Sequence, residues 1–283
     1  MRQIAFYGKG GVGKSTVVSN VAACLALAGR QVLQLGCDPK CDSTRSHLGG
    51  RAPRPVLDRI RELGSSRELV RRVRAEELRL VGSSGVHCIE AGGPEPGVGC
   101  AGRGIVVTIE ALTALGVFES PYDAILYDVL GDVVCGGFAM PIRHSYAEDV
   151  YLVVSGEFLS LYAANNICRG IRRYARSGAT RLAGVVGNLR GTPGEEAVIS
   201  AFAKGLGTEV AQFIPHSPLI LAAERQRRTV VELEPDAEIT RRFRALAEAL
   251  LSNPSGVVPA LLEDAAVERI VIDGHLSATR EDR

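Results

Sequence analysis

The sequence predicts an α/β protein built on a doubly wound, mostly parallel sheet of about seven to eight strands. Three observations predict it. Short apolar runs alternate with helix-period segments along most of the chain. A glycine-rich loop joins the first apolar run to the first helical segment. Ala124-Ile125-Leu126-Tyr127-Asp128 is an apolar run that ends in a carboxylate.

The first strand, Ile4-Ala5-Phe6-Tyr7, leads into Gly8-Lys9-Gly10-Gly11-Val12-Gly13-Lys14-Ser15-Thr16, and a helical pattern runs from Val17 to Ala28. Strand, glycine loop and a helix opening on Lys-Ser form a phosphate-binding P-loop. Glycines let backbone N–H groups turn in around phosphate oxygens, and the helix points its positive end at the same anion. Lys14 then reaches the β- and γ-phosphates and Ser15 ligates Mg²⁺. Gly8, Gly10 and Gly13 also spell a dinucleotide fingerprint with Asp38 as its ribose acid. The Lys14-Ser15 pair has no role in such a site and favours the mononucleotide reading. A plain glycine turn does not explain a lysine at the start of a helix, where it opposes the helix dipole.

Residues 31–36 read as a second buried strand, followed by Cys37-Asp38-Pro39-Lys40-Cys41-Asp42. Ligands of a parallel sheet sit beyond the carboxyl ends of its strands, so Asp38 and Asp42 fall near the γ-phosphate. A carboxylate there orients the attacking water or holds Mg²⁺ through water. The alternative is a pair of turn formers around Pro39.

Residues 51–80 carry nine arginines against five acids on an amphipathic helical pattern that includes Val56, Leu57, Ile60 and Leu63. A solvated face is the default for such charge, with a docking surface for an acidic partner as the alternative. A third strand, Val86–Glu90, runs into residues 91–104, which hold six glycines and two prolines, an irregular loop ahead of a helix from Ile105 to Leu115. Cys100 lies on that loop near a helix N-terminus, an environment that lowers a thiol pKa.

The strand ending at Asp128 has the pattern whose carboxylate holds Mg²⁺. Cys135 follows beside Gly136 and Gly137, at most ~25 Å from Asp128 by chain reach. Further strands are predicted at 150–154, 182–186 and 210–214, with helices at about 158–175, 194–206 and 236–252. The core unit is taken as 1–256, leaving 257–283 as a tail of mixed character.

Composition excludes several classes. There are 33 basic and 32 acidic residues, so nothing pulls the chain toward nucleic acid or an anionic membrane. No apolar run approaches the ~18 residues of a membrane span. The chain opens on a strand, which leaves no room for a signal peptide. Seven cysteines, an odd number, fit reduced thiols and metal ligation better than a disulfide framework. A cytoplasmic protein is expected.

A [4Fe–4S] cluster is usually held by four thiolates. Cys100 and Cys135 supply two on glycine-rich loops, and a symmetric dimer supplies four. Cys24, Cys88 and Cys168 read as small buried residues. Cys37 and Cys41 lack C-x-x-C spacing, against a zinc pair.

The P-loop, Gly36 to Lys40, Gly92 to Gly104, Tyr127 to Ile142 and Tyr162 to Ile167 together resemble the nitrogenase iron protein family over roughly residues 1–250. The resemblance implies a P-loop NTPase fold with a deviant Walker A motif, whose signature lysine is Lys9. It implies an ATP-hydrolysing reductase, a homodimer with two MgATP sites and one bridging [4Fe–4S] cluster. Such proteins take electrons from a low-potential donor such as ferredoxin or flavodoxin and pass them singly to a catalytic partner. Lys9 matches the lysine that reaches the partner subunit's nucleotide. Asp38 and Asp42 fall in a first switch, Asp128 and Asp132 in a second that leads to Cys135. Asn188 matches the adenine contact. Arg103 matches the arginine of the docking surface near Cys100, which is ADP-ribosylated in some relatives.

Residues 44–82 and the Pro215-His216-Ser217-Pro218 loop depart from the family's usual pattern. Within the family the alternative is a reductase for a substrate other than N₂, of the methylthio-alkane or tetrapyrrole type. Outside it, the alternatives are a partitioning-type ATPase switch without redox chemistry and an iron–sulfur carrier ATPase. The first has no use for Cys100 and Cys135, and the second normally shows C-x-x-C.

Overall fold

The computed structural model describes residues 1–93, 101–131, 141, 146–175, 180–252 and 256–281. Its centre is β1 (Arg2–Tyr7), hydrogen-bonded in parallel to β5 (Ala124–Val129) on one side and β6 (Asp149–Val154) on the other. Beyond β5 lie β2 (Val32–Cys37), β4 (His87–Glu90) and β3 (Leu80–Val81); beyond β6 lie β7 (Arg181–Asn188) and β8 (Val210–Ile214). The eight-stranded order is β3-β4-β2-β5-β1-β6-β7-β8. Among the strand pairings of the described residues, only β3–β4 is antiparallel. Strands β2, β5 and β6 are buried at every position, as expected of parallel strands covered on both faces.

Successive residues of β1 serve opposite faces. Ile4 and Phe6 pack with α1 (Lys14–Leu27) and α9 (Glu238–Ser252) through Val17, Val21, Phe243 and Leu246. Ala5 and Tyr7 belong to the opposite core, with Ile105 and Ile109 of α4 (Ala101–Ala114) and Leu161 of α5 (Phe158–Tyr174). Phe202 of α6 (Glu195–Leu206) lies in that core too. The chain leaves β1 toward β2 and β4, returns to β5, then crosses to β6, so the topology reverses at β1. The crevice at such a reversal is where ligands bind in open α/β sheets.

The arginine-rich stretch forms α2 (Val56–Leu63) and α3 (Ser66–Arg72). Much of its charge is paired along its own surface: Arg59 with Glu62 at 3.1 Å, Arg71 and Arg72 with Glu68 at 3.0 and 2.8 Å, Arg54 with Glu62, Arg61 with Asp58. Exposed pairs of this kind contribute little stability.

Three features were not expected from the sequence. The edge strand β3 is two residues long, too short to leave a period. Two short helices, α7 (Pro218–Arg225) and α8 (Val230–Leu233), follow β8. Residues beyond 256 form α10 (Asp264–Glu281), which packs on α6 and α5. Val267 is fully buried there, Val257 pairs with Leu182, and Asn165 hydrogen-bonds both ways with the Leu262 backbone. No helix among the described residues is long and apolar enough to cross a membrane.

Candidate nucleotide site

The loop between β1 and α1 is shaped by backbone that only glycine tolerates. Gly11 and Gly13 sit at φ 78° and 93°. A Cβ on Gly8 would lie 2.2 Å from the Val153 carbonyl oxygen, and one on Gly131 would lie 1.6 Å from the Gly8 carbonyl oxygen. The exit of β1 is therefore wedged between β6 and the segment leaving β5. Gly13 caps α1 without a side-chain acceptor, so among the described residues no side chain caps the first N–H groups of the helix, the groups that bind an anion at a helix start.

Lys14, the first residue of α1, reaches back to Asp128 at the end of β5. Its Nζ donates to Asp128 Oδ1 at 2.8 Å, and both residues are buried. Asp128 Oδ2 is also buried and has no partner among the described residues. An orphaned carboxylate oxygen is costly unless a ligand completes it. Beside a P-loop it fits a Mg²⁺-bound water, and Ser15 stands half-buried one residue beyond Lys14.

The loop after β2 holds Asp38 half-buried and Lys40 and Asp42 exposed. Asp38 does form a turn: its Oδ1 accepts from the Lys40 N–H at 2.9 Å, and Cys41 takes φ 52°. On the other side of the P-loop, Asn188 at the end of β7 donates to the Val12 carbonyl at 2.7 Å, and Arg190 donates to the Gly11 carbonyl at 2.8 Å. Asn188 thus braces the phosphate loop itself. The buried Glu195 holds this corner, accepting from Gly156, Arg190 and Gly191 N–H groups at 3.1, 2.7 and 3.2 Å. Lys9 is half-buried and Gly10 exposed at the loop's outer rim, Thr16 is half-buried, and Arg103 is exposed in the first turn of α4.

Behind the site lies a polar cluster that the sequence did not mark. Gln34 of β2 donates to Ser19 Oγ, Ser43 Oγ and the Ser43 carbonyl at 3.1, 2.9 and 2.9 Å. With its amide nitrogen so used, its carbonyl oxygen accepts from His47 Nε2–H at 2.9 Å. Glu90, fully buried at the end of β4, accepts through Oε1 from the Thr44 N–H and hydroxyl at 2.8 and 2.7 Å. A carboxylate closing an apolar strand was the available signal for Glu90, the same that marked Asp128.

Burial pushes the Glu90 carboxyl from 4.5 up to about 7, against the pull of the Thr44 donors, with Asp128 and Asp42 adding to the rise. Burial pulls the His47 imidazole from 6.5 down to about 4, against Glu232. The linkage signs oppose. The Glu90 contribution is complete below pH 4.5 and is lost as pH rises to about 7. The His47 contribution is complete above pH 6.5 and is lost as pH falls to about 4. Each amounts to about 3 kcal/mol. His47→Gln is expected to lose stability with rising pH across this window, and Glu90→Gln with falling pH. Urea unfolding of the protein without nucleotide measures both, and parallel profiles in the two variants would contradict the assignment.

Cys100, Asp132 and Cys135 lie outside the described residues. Cys24, Cys37, Cys88 and Cys168 are buried, and burial pushes their thiols up, to about 12 for Cys24 and Cys168. Cys41 is half-buried and is also raised to about 12, chiefly by burial. Such thiols are poor ligands. Among the described residues no three His, Cys, Asp or Glu side chains gather to hold a metal.

Fold and site together define a P-loop nucleotide-binding protein with an adjoining acidic loop after β2 and a buried carboxylate, Asp128, at the end of β5. The solved structures it resembles agree on the fold. The cell division ATPase MinD of Pyrococcus furiosus matches with TM-score 0.65 at 20% identity, covering 88% of this chain and 98% of that one. A ParA family ATPase from Chlorobium tepidum matches with TM-score 0.66 at 17% identity, covering 87% and 98%. At these identities the likeness concerns the fold alone.

Sequence comparison identifies the family. Residues 2–277 match the model of the 4Fe-4S iron sulfur cluster binding proteins, NifH/frxC family. A nitrogenase iron protein of Methanospirillum hungatei is 48% identical over 272 residues, 95% of each chain. The chain belongs to this family, whose members are ATP-hydrolysing reductase components that bind a [4Fe–4S] cluster and MgATP. The match extends into α10, as far as residue 277.

Proposed function

We propose that two copies of this chain share one [4Fe–4S] cluster through Cys100 and Cys135 of each protomer. The dimer couples MgATP hydrolysis to delivery of single electrons to a nitrogenase or nitrogenase-like catalytic protein. The observation that carries this reading is the family match spanning both cysteines and a P-loop whose acidic partner, Asp128, keeps a buried oxygen free. The donor set suits the cluster: two cysteines per chain become four thiolates on a two-fold axis. When bound, the cluster stores and releases one low-potential electron at a time.

The chain's own residues handle the nucleotide. Backbone N–H groups from Gly8 to Thr16 ring the phosphates, and Lys14 offsets their charge. Ser15 and the free oxygen of Asp128 serve Mg²⁺. Asp38 orients the attacking water, with Lys40 and Asp42 on the same loop. Lys9 reaches the nucleotide of the partner subunit, as its place on the outer rim permits. Asn188 contacts the adenine from the strand end where it braces Val12. Asp132 lies between Asp128 and Cys135, so a change of phosphate state at Asp128 reaches the cluster ligand along one short segment. The catalytic partner docks near Cys100 and Arg103, and a ferredoxin or flavodoxin supplies the electron. The dimer works in the cytoplasm, apart from nucleic acid and membrane. The 48% identical relative favours a nitrogenase-type partner over a tetrapyrrole or methylthio-alkane system.

Anaerobic iron analysis of Cys100→Ser and Cys135→Ser tests the ligand assignment. Each variant is expected to hold no cluster while still binding MgATP. Full iron content in either would falsify the assignment.

A further inference from the structure

The Glu90 carboxylate joins two loops that the chain keeps far apart. Through Oε1 it holds both donors of Thr44, in the loop that carries Asp38 and Asp42. Gly36 faces Glu90 in the β2–β4 register and Asp128 in the β2–β5 register. A Cβ on Gly36 would lie 1.9 Å from Glu90 Oε2 and 2.8 Å from Ser43 Cβ, so the glycine makes the room through which Glu90 reaches Thr44. The Glu90 carboxylate lies over the strand between the Asp38–Thr44 loop and the end of β4.

The residues after Glu90 lean on the same loop. Ala91 N–H donates to the Gly36 carbonyl at 2.8 Å, and the Ala91 carbonyl accepts from Leu57 N–H at 3.0 Å. A Cβ on Gly92 would lie 2.8 Å from Pro55 Cβ, and one on Gly93 would lie 2.4 Å from Pro39 Cβ. A Cβ on Gly104, in the first turn of α4, would lie 2.5 Å from Leu57 Cδ1. Both flanks of the segment carrying Cys100 therefore rest on residues 36–57. Packing with so little room to spare transmits a shift of residues 36–57 to both flanks.

We propose that Glu90 is a positioning residue: through Thr44 it ties the Asp38–Thr44 loop to the end of β4, so that nucleotide binding is felt at the flanks of Cys100 by a route separate from Asp128. The inference rests on the nucleotide reading of that loop. It adds a second line of coupling, one that enters through the other cysteine.

Hydrogen–deuterium exchange on the reduced holoprotein, with and without MgATP, tests it. In the unaltered protein MgATP should slow exchange at residues 8–16 and 38–44 and change it at 91–93 and 101–104. Thr44→Val removes the hydroxyl donor at constant shape. It should cut the response at 91–93 and 101–104 about tenfold, the equivalent of one buried hydrogen bond, while 8–16 stays protected. Thr44→Ser, which keeps the hydroxyl, should restore the response. Protection of 8–16 in the unaltered protein with no change at 91–93 overturns the link alone, as does an undiminished response in Thr44→Val. No protection of 8–16 overturns the nucleotide reading and the link with it.

Discussion

Lys14→Met is expected to cost the protein about 3–5 kcal/mol of stability and about a hundredfold in MgATP affinity. The two losses have different causes. The Lys14–Asp128 pair lies at the junction of α1 and β5, at 2.8 Å and nearly out of solvent. Removing the cation leaves Asp128 buried with both oxygens unpaired, and an uncompensated buried charge is far more costly than the pair was favourable. The affinity loss arises because Lys14 is the cation that opens α1, where the phosphate charge falls. The double variant Lys14→Met/Asp128→Asn separates the two. With the buried charge gone, stability should return to within about 1 kcal/mol of the original, while MgATP binding stays lost. Urea unfolding and calorimetric titration read the two quantities. A single variant that binds MgATP normally would place the phosphates elsewhere.

Gly131→Ala should produce the second large effect. Its Cβ would sit 1.6 Å from the Gly8 carbonyl oxygen, and the obstructing atom is backbone, with no side chain to swing aside. Either the P-loop or the segment leaving β5 must move. The sheet below is held by the β1–β5 register from Arg2↔Ala124 to Phe6↔Asp128, so the fold should survive. The displacement falls on the loop and on the approach to Asp132 and Cys135. A loss on the order of 3 kcal/mol in MgATP binding is expected, with unfolding reduced by less than that. Equal MgATP affinity in Gly131→Ala and the unaltered protein would show that the two segments do not need this contact.

The parts of the molecule that local sequence dictates were legible from it. The P-loop is such a part, because its glycines, Lys14 and Ser15 are adjacent in the chain and each answers to one local requirement. The strands ending near Tyr7, Cys37 and Asp128 are others, because burial on both faces leaves continuous apolar runs. The edge strand at Leu80–Val81 left no pattern, and α10 carries too few buried residues around Val267 to stand out from a surface segment. The polar cluster behind the site was invisible for a different reason. Glu90 finds Thr44 across 46 residues of chain, and the partnership exists only once β2 and β4 are in register over Gly36. Gln34 and His47 meet where the segment after β2 folds back over that strand, inside a core that composition would fill with apolar side chains. Asn188 was read by resemblance as an adenine contact, and only the fold reveals its hold on the Val12 carbonyl.

One cluster shared by two chains and responsive to nucleotide is the feature on which electron delivery depends. The direct measurement is anaerobic iron counting with electron paramagnetic resonance on the dithionite-reduced protein, with and without MgATP. The expected result is about four irons per dimer, one [4Fe–4S] cluster, and a signal that changes when MgATP binds. An iron-free protein that still hydrolyses ATP would contradict it and leave a nucleotide switch without redox chemistry.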